Sequence, residues 1–138
     1  MIRDDVRARF GDDRVDVVAP HGIPMPDGGT VPYPSLTKDL HHEVELTVAL
    51  KSGGTDIPVE KALEHVYGYG VGLDMTRRDL QNQAKDMGRP WDIRKGFDNS
   101  APIGVIYPVS AVGHIDKGTI QLDVNGKTRQ KSDLNALI

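Results

Sequence analysis

The chain has 138 residues, enough for one domain with a modest core, of which 38% are hydrophobic and 27% charged, with a formal net charge of −3. That balance describes a soluble globular protein and offers no basic block for nucleic acid or an anionic membrane surface. Cysteine is absent, which excludes disulfides, thiolate metal sites and cysteine nucleophiles.

Residues 1–14 are dominated by charge and read as a weakly ordered lead-in to a domain over 15–138. They carry no apolar signal segment, and no apolar run anywhere approaches the roughly 20 residues of a membrane span. The expected location is the cytoplasm. "VDVVAP" (15–20) is a strand candidate that Pro20 ends, and 21–35, with four prolines and three glycines, is loop with room for one edge strand.

"HHEVELTVAL" (41–50) alternates strictly. Val44, Leu46, Val48 and Leu50 share one face of a strand entering a core, and His41, Glu43, Glu45 and Thr47 share the other. "KSGGTD" (51–56) is a turn. A short helix should follow, capped by Asp56, with Pro58 in its first turn, Val59, Ala62, Leu63 and Val66 at helical spacing, and Gly68 closing it.

"YGVGLD" (69–74) reads as a strand whose glycines allow close backbone approach. Thr76 and Asp79 resemble a capping box for a helix with Leu80, Ala84 and Met87 on one side, closed by Gly88 ahead of Pro90. Residues 89–104 are irregular. "VIYPV" and "TIQLDV" are strands, and Asn125-Gly126 is a type I′ hairpin signal leading into "KTRQ". Ser132 caps a last, barely begun helix. The sum is α+β, predominantly β.

Four groups of residues can carry chemistry. Glu43 and Glu45 point the same way from one strand, so their carboxylates repel unless a proton or a cation lies between them. Hard oxygen donors favour Mg²⁺, Mn²⁺ or Ca²⁺, although E-x-E taken alone is better explained by a solvated polar face. Asp74 ends a strand and offers either a third oxygen ligand or a helix cap. Arg78 and Gln81 lie three apart on one helix face beside Asp74, where they can hold a carboxylate or keto-acid substrate or simply face solvent. Lys95 is a surface lysine unless it faces the metal, where it would stabilise a developing enolate.

Taken together, "LHHEVEL", "VYGYGVGLDMTRRDLQ", "GRPWDIRKGFDNSAPIG" and "VNGKTRQ" resemble the fumarylacetoacetate hydrolase superfamily, most closely its bacterial acylpyruvate (fumarylpyruvate) hydrolase branch. The resemblance covers about residues 29–138. It implies a β-sandwich roll with short helices, a homodimer, and a divalent metal, Mg²⁺ or else Mn²⁺ or Ca²⁺, held by Glu43, Glu45 and Asp74. It also implies that Arg78, Gln81 and Lys95 border a small keto-acid substrate, with Lys95 catalytic.

The implied reaction is hydrolysis of a C–C bond in an acylpyruvate or related 1,3-diketo acid, in the breakdown of aromatic compounds. Some relatives decarboxylate oxaloacetate or isomerise dienoates instead. The family also has an upstream lid carrying a histidine and a glutamate, and a downstream Thr-Gly-Thr-Pro segment. Neither is recognised here, so the expectation is a chain shortened at both ends, with the water-activating base outside it. A non-catalytic fragment that binds metal or a partner chain is the alternative from another class. His41 and His42 receive no role.

Overall fold

A computed structural model describes residues 24–25 and 29–136. The lead-in over 1–14 and the strand expected over 15–20 lie outside the described residues. In chain order come β1 (Pro24–Met25), β2 (Leu40–His41), β3 (Val44–Leu50), a one-turn helix α1 (Val59–Ala62) and β4 (Val66–Leu73). After these come β5 (Thr76–Arg77), α2 (Arg78–Asp86), β6 (Ala101–Pro102), β7 (Tyr107–Pro108) and α3 (Val109–Val112), and then β8 (Thr119–Val124) and β9 (Lys127–Asp133). Strand outweighs helix, as expected for a mainly β member of the α+β class. Among the described residues, no helix is long and apolar enough to cross a membrane.

The centre is an antiparallel sheet in the order β3-β4-β7. Its register runs from Val44 opposite Leu73 to Leu50 opposite Val66, with an irregularity at Ala49/Leu50. β2 pairs with β5, β1 lies parallel to β6, and β8 and β9 form a hairpin. The glycines of β4 do what their spacing predicts. A Cβ on Gly68 would lie 2.0 Å from the Tyr107 carbonyl oxygen, and one on Gly70 would lie 2.7 Å from Ile106 Cδ1. Only a strand without side chains there lets 105–107 pack so close. Tyr69, Ile106, Tyr107, Val66 and Ala49 are buried around this contact, and Leu122 and Ile120 of the hairpin are buried as well.

Local punctuation holds at two turns. Gly88 adopts φ 62°, its N–H bonds the carbonyl of Lys85, and the N–H of Arg89 bonds that of Ala84. This is the Schellman closure expected of a glycine just past a helix. Asn125 (φ 52°) and Gly126 (φ 74°) form the type I′ turn of the β8–β9 hairpin.

Elsewhere longer-range contacts override the local pattern. The 41–50 stretch splits after His41, because β2 pairs with β5 while β3 pairs with β4. Its buried residue is Ala49, at 5% exposure, whereas Val48 and Leu50 of the aliphatic face are 44% and 63% exposed. The helix expected from Asp56 to Gly68 stops after one turn and a short 3₁₀ segment, Leu63–His65, since Val66 is already laddered against Leu50. Asp56 has a positive φ and does not cap it, the N-cap is Pro58, and Gly68 lies inside β4.

Thr76 belongs to β5, and α2 starts without a side-chain N-cap bond. Asp79 instead ties the helix to the preceding loop: it accepts hydrogen bonds from the Thr37 hydroxyl and the Lys38 and Leu80 N–H groups. "VIYPV" is strand only over Tyr107–Pro108. Ser132 lies in β9, and it is Asp133 whose carboxylate accepts the Asn135 N–H at the start of the final 3₁₀ turn.

Candidate metal centre

The register of the central sheet sets the site. Val44 lies opposite Leu73 and Glu45 opposite Gly72, so the start of β3 and the end of β4 meet. Glu43 sits in the break between β2 and β3, and Asp74 immediately follows β4. The Asp74 N–H donates to the Glu43 carbonyl at 2.9 Å, which locks the two backbones together. Glu43, Glu45 and Asp74 thereby each present a carboxylate oxygen within 4.8 Å of the others.

At 4.8 Å two like unit charges repel by about 3 kcal/mol at an effective dielectric near 20. Such a trio needs cations. Oxygens bound to one divalent ion at about 2.1–2.5 Å can be at most about 4–5 Å apart, so this spacing and this all-oxygen donor set fit Mg²⁺, Mn²⁺ or Ca²⁺.

Two side chains bring positive charge to the same point. Lys95 follows the 3₁₀ turn Asp92–Arg94; its side chain is only 14% exposed, and its ammonium donates to Glu43 Oε2 at 2.7 Å and to Asp74 Oδ2. Arg78, at the start of α2, donates through Nη2 to Glu43 Oε1 and through Nη1 to Gln81 Oε1. Burial pushes the Glu43 carboxyl up, but the hydrogen bonds from Lys95 and Arg78, with their charges, outweigh burial and hold it below the usual carboxylate range. All six residues singled out in the sequence therefore meet here: three carboxylates, two cations, and an amide that orients one of the cations.

Other residues of this neighbourhood were not assigned roles from the sequence. Arg77 is 7% exposed. Its guanidinium stacks over Phe97 at 4.3 Å and its Nη1 reaches the Ile93 carbonyl, so it pins the loop that carries Lys95. His41 accepts the Arg78 Nε–H at Nδ1 (3.3 Å), while its Nε2 lies 2.9 Å from Asp39. Gln130 of β9 accepts the N–H of Val44, the residue between the two glutamates, at 2.8 Å. The signals for His41 and Gln130 were in plain view, inside "HHEVEL" and "VNGKTRQ". What each touches depends on folding.

The chain matches known proteins over most of its length. Residues 14–138 match the family described as fumarylacetoacetate (FAA) hydrolase C-terminal. The fumarylpyruvate hydrolase of a Ralstonia species is 44% identical over 111 residues, which is 80% of this chain and 57% of that protein. An oxaloacetate tautomerase of Arabidopsis thaliana is 41% identical over 78% of this chain and 48% of its own length. The crystal structure of the Pseudomonas aeruginosa fumarylpyruvate hydrolase in complex with Mn²⁺ and pyruvate superposes with a TM-score of 0.76 at 54% identity, covering 83% of this chain and 50% of that one. The chain thus spans about half the length of the curated relatives it matches.

Proposed function

The chain belongs to the fumarylacetoacetate hydrolase family, and from that premise we propose that it supplies the metal- and keto-acid-binding part of a divalent-metal-dependent hydrolase acting on acylpyruvate-type 1,3-diketo acids. The observation that carries the reading is the convergence of Glu43, Glu45 and Asp74 within 4.8 Å, with Lys95 aimed at the same point. Glu43, Glu45 and Asp74 are the ligands in this reading. Mn²⁺ is supported by the complex of the Pseudomonas relative, and Mg²⁺ and Ca²⁺ suit the same donors.

When bound, such a cation polarises the oxygens of a chelating keto acid. The residues of the chain do the rest. Arg78, held by Gln81, orients the substrate carboxylate. Lys95 is the catalytic residue: its ammonium is placed to stabilise negative charge as it develops on the leaving pyruvate enolate. Overall, water adds to the distal carbonyl, the C–C bond to the pyruvyl carbon breaks, and a carboxylate and pyruvate result. A homodimer in the cytoplasm completes the reading.

Titration calorimetry with MnCl₂ tests it. Glu43→Gln and Glu45→Gln should each abolish Mn²⁺ binding while circular dichroism stays unchanged, and undiminished affinity overturns the ligand assignment. Turnover of an acylpyruvate with Mn²⁺ then separates an enzyme from a piece that only binds metal or a partner chain, which would bind Mn²⁺ without turnover. Oxaloacetate chemistry is the second reading, favoured by the Arabidopsis relative. It calls for the same trio, and faster consumption of oxaloacetate than of acylpyruvate would select it.

A further inference from the structure

The hairpin sequence "VNGKTRQ" has no part in the chemistry above, yet its last residue reaches the site's backbone. We propose that Gln130 is a positioning residue for the paired glutamates, an inference that rests on the metal-site reading. One peptide group joins Glu43 to Val44, and it is held on both sides. Its carbonyl accepts the Asp74 N–H at 2.9 Å, and its N–H donates to Gln130 Oε1 at 2.8 Å. The plane from which Glu43 departs, and which leads directly to Glu45, is thus clamped between the third ligand and a side chain 86 residues away.

The placement of a glutamine there has a physical reason. On the same face of the hairpin, Gln130 lies opposite Leu122, and Ser132 opposite Ile120. Leu122 and Ile120 are 2% and 8% exposed and Gln130 is half-buried, while Ser132, Arg129 and Lys131 are exposed, so Gln130 is the β9 side chain that turns in beside Leu122. An apolar residue at 130 would strip the half-buried Val44 N–H of its acceptor. Glutamine supplies the reach and the oxygen. Residues that orient metal ligands from behind commonly change metal affinity 10–100-fold when removed.

Three variants of the full chain test this by Mn²⁺ calorimetry and by amide hydrogen exchange at Val44. Gln130→Met keeps the length and removes the acceptor. It should weaken Mn²⁺ binding on the order of ten-fold or more and speed Val44 exchange. Gln130→Glu restores an acceptor and should recover most of the affinity, measured at about 0.5 M salt to screen its added charge. Gly126→Ala strains the turn at φ 74° and loosens the hairpin without touching the clamp, so it should lower the melting temperature and spare the affinity.

Wild-type affinity in Gln130→Met overturns the inference and leaves the metal-site reading standing. Equal losses in Gly126→Ala and Gln130→Met overturn it as well, since the hairpin would then act only through general stability. Absence of Mn²⁺ binding in the wild type sinks the metal site and this inference together.

Discussion

The two edges of the central sheet, β7 and β3, differ more than its sequence suggests. Towards β7 the glycines of β4 admit 105–107 to van der Waals contact, and Tyr69, Ile106 and Tyr107 are 7%, 3% and 6% exposed. The aliphatic side of β3 is open. It borders a groove of about 560 Å³ lined by Val44, Leu46, Val48, Ile120 and Gln130, among others, while Leu50 stays 63% exposed. Full burial of a leucine is worth about 1.5–3 kcal/mol, so Leu50 forgoes most of that. The carboxylate trio sits where the start of β3 meets the end of β4. Its precision derives from the β3–β4 register and the Asp74–Glu43 bond, and the open edge contributes the Gln130 clamp.

The largest expected effect breaks the closed side. Gly68→Ala puts a methyl group 2.0 Å from a backbone carbonyl oxygen that cannot move aside as a flexible side chain would. Overpacking of this kind costs about 1–3 kcal/mol, and backbone clashes lie at or beyond the upper end. Urea unfolding should show a loss of about 3 kcal/mol or more, and a loss below about 1 kcal/mol would mean that 105–107 is not held against β4.

A smaller effect concerns the loop in front of α2. The hydrogen bonds from Thr37, then Lys38, hold the Asp79 carboxyl below its ordinary value. A lowered carboxyl contributes stability that is fully present above the unfolded value, about 3.9. That contribution is lost as pH falls through the folded value. Asp79→Asn should therefore flatten the acid limb of the melting temperature measured from pH 7 to pH 3. An unchanged acid limb would show that these bonds do not persist in solution.

The smallest effect belongs to the open side. Leu50→Ser should change the unfolding free energy by no more than about 0.5 kcal/mol, as at other exposed positions. A loss near 2 kcal/mol, measured in the same urea series as Gly68→Ala, would show that in solution this face is covered and would erase the contrast.

Much of the site could be read before folding because its parts are local. The i, i+2 spacing of Glu43 and Glu45 and the i, i+3 spacing of Arg78 and Gln81 follow from strand and helix geometry alone. The same holds for the turns at Gly88 and Asn125-Gly126, where positive φ selects the residue. The helix expected from Asp56 failed for the opposite reason. Helical spacing of Val59, Ala62, Leu63 and Val66 is a local argument, and Val59 is left 89% exposed because the ladder between Leu50 and Val66 outcompeted it.

The amino-acid sequence by itself determined the family, the paired glutamates, the glycine strand and the points where the chain turns. Each of these is written in neighbouring residues, through torsional preference, periodicity or motif. Only the tertiary structure decided which face of β3 is covered, that Lys95 and Arg78 converge on Glu43, that Arg77 pins the lysine's loop, and that Gln130 clamps the Glu43–Val44 peptide. These are contacts between residues from 16 to 86 positions apart. Their physical cause is the competition of whole surfaces for burial and of buried amides for partners, and no window of sequence contains both competitors.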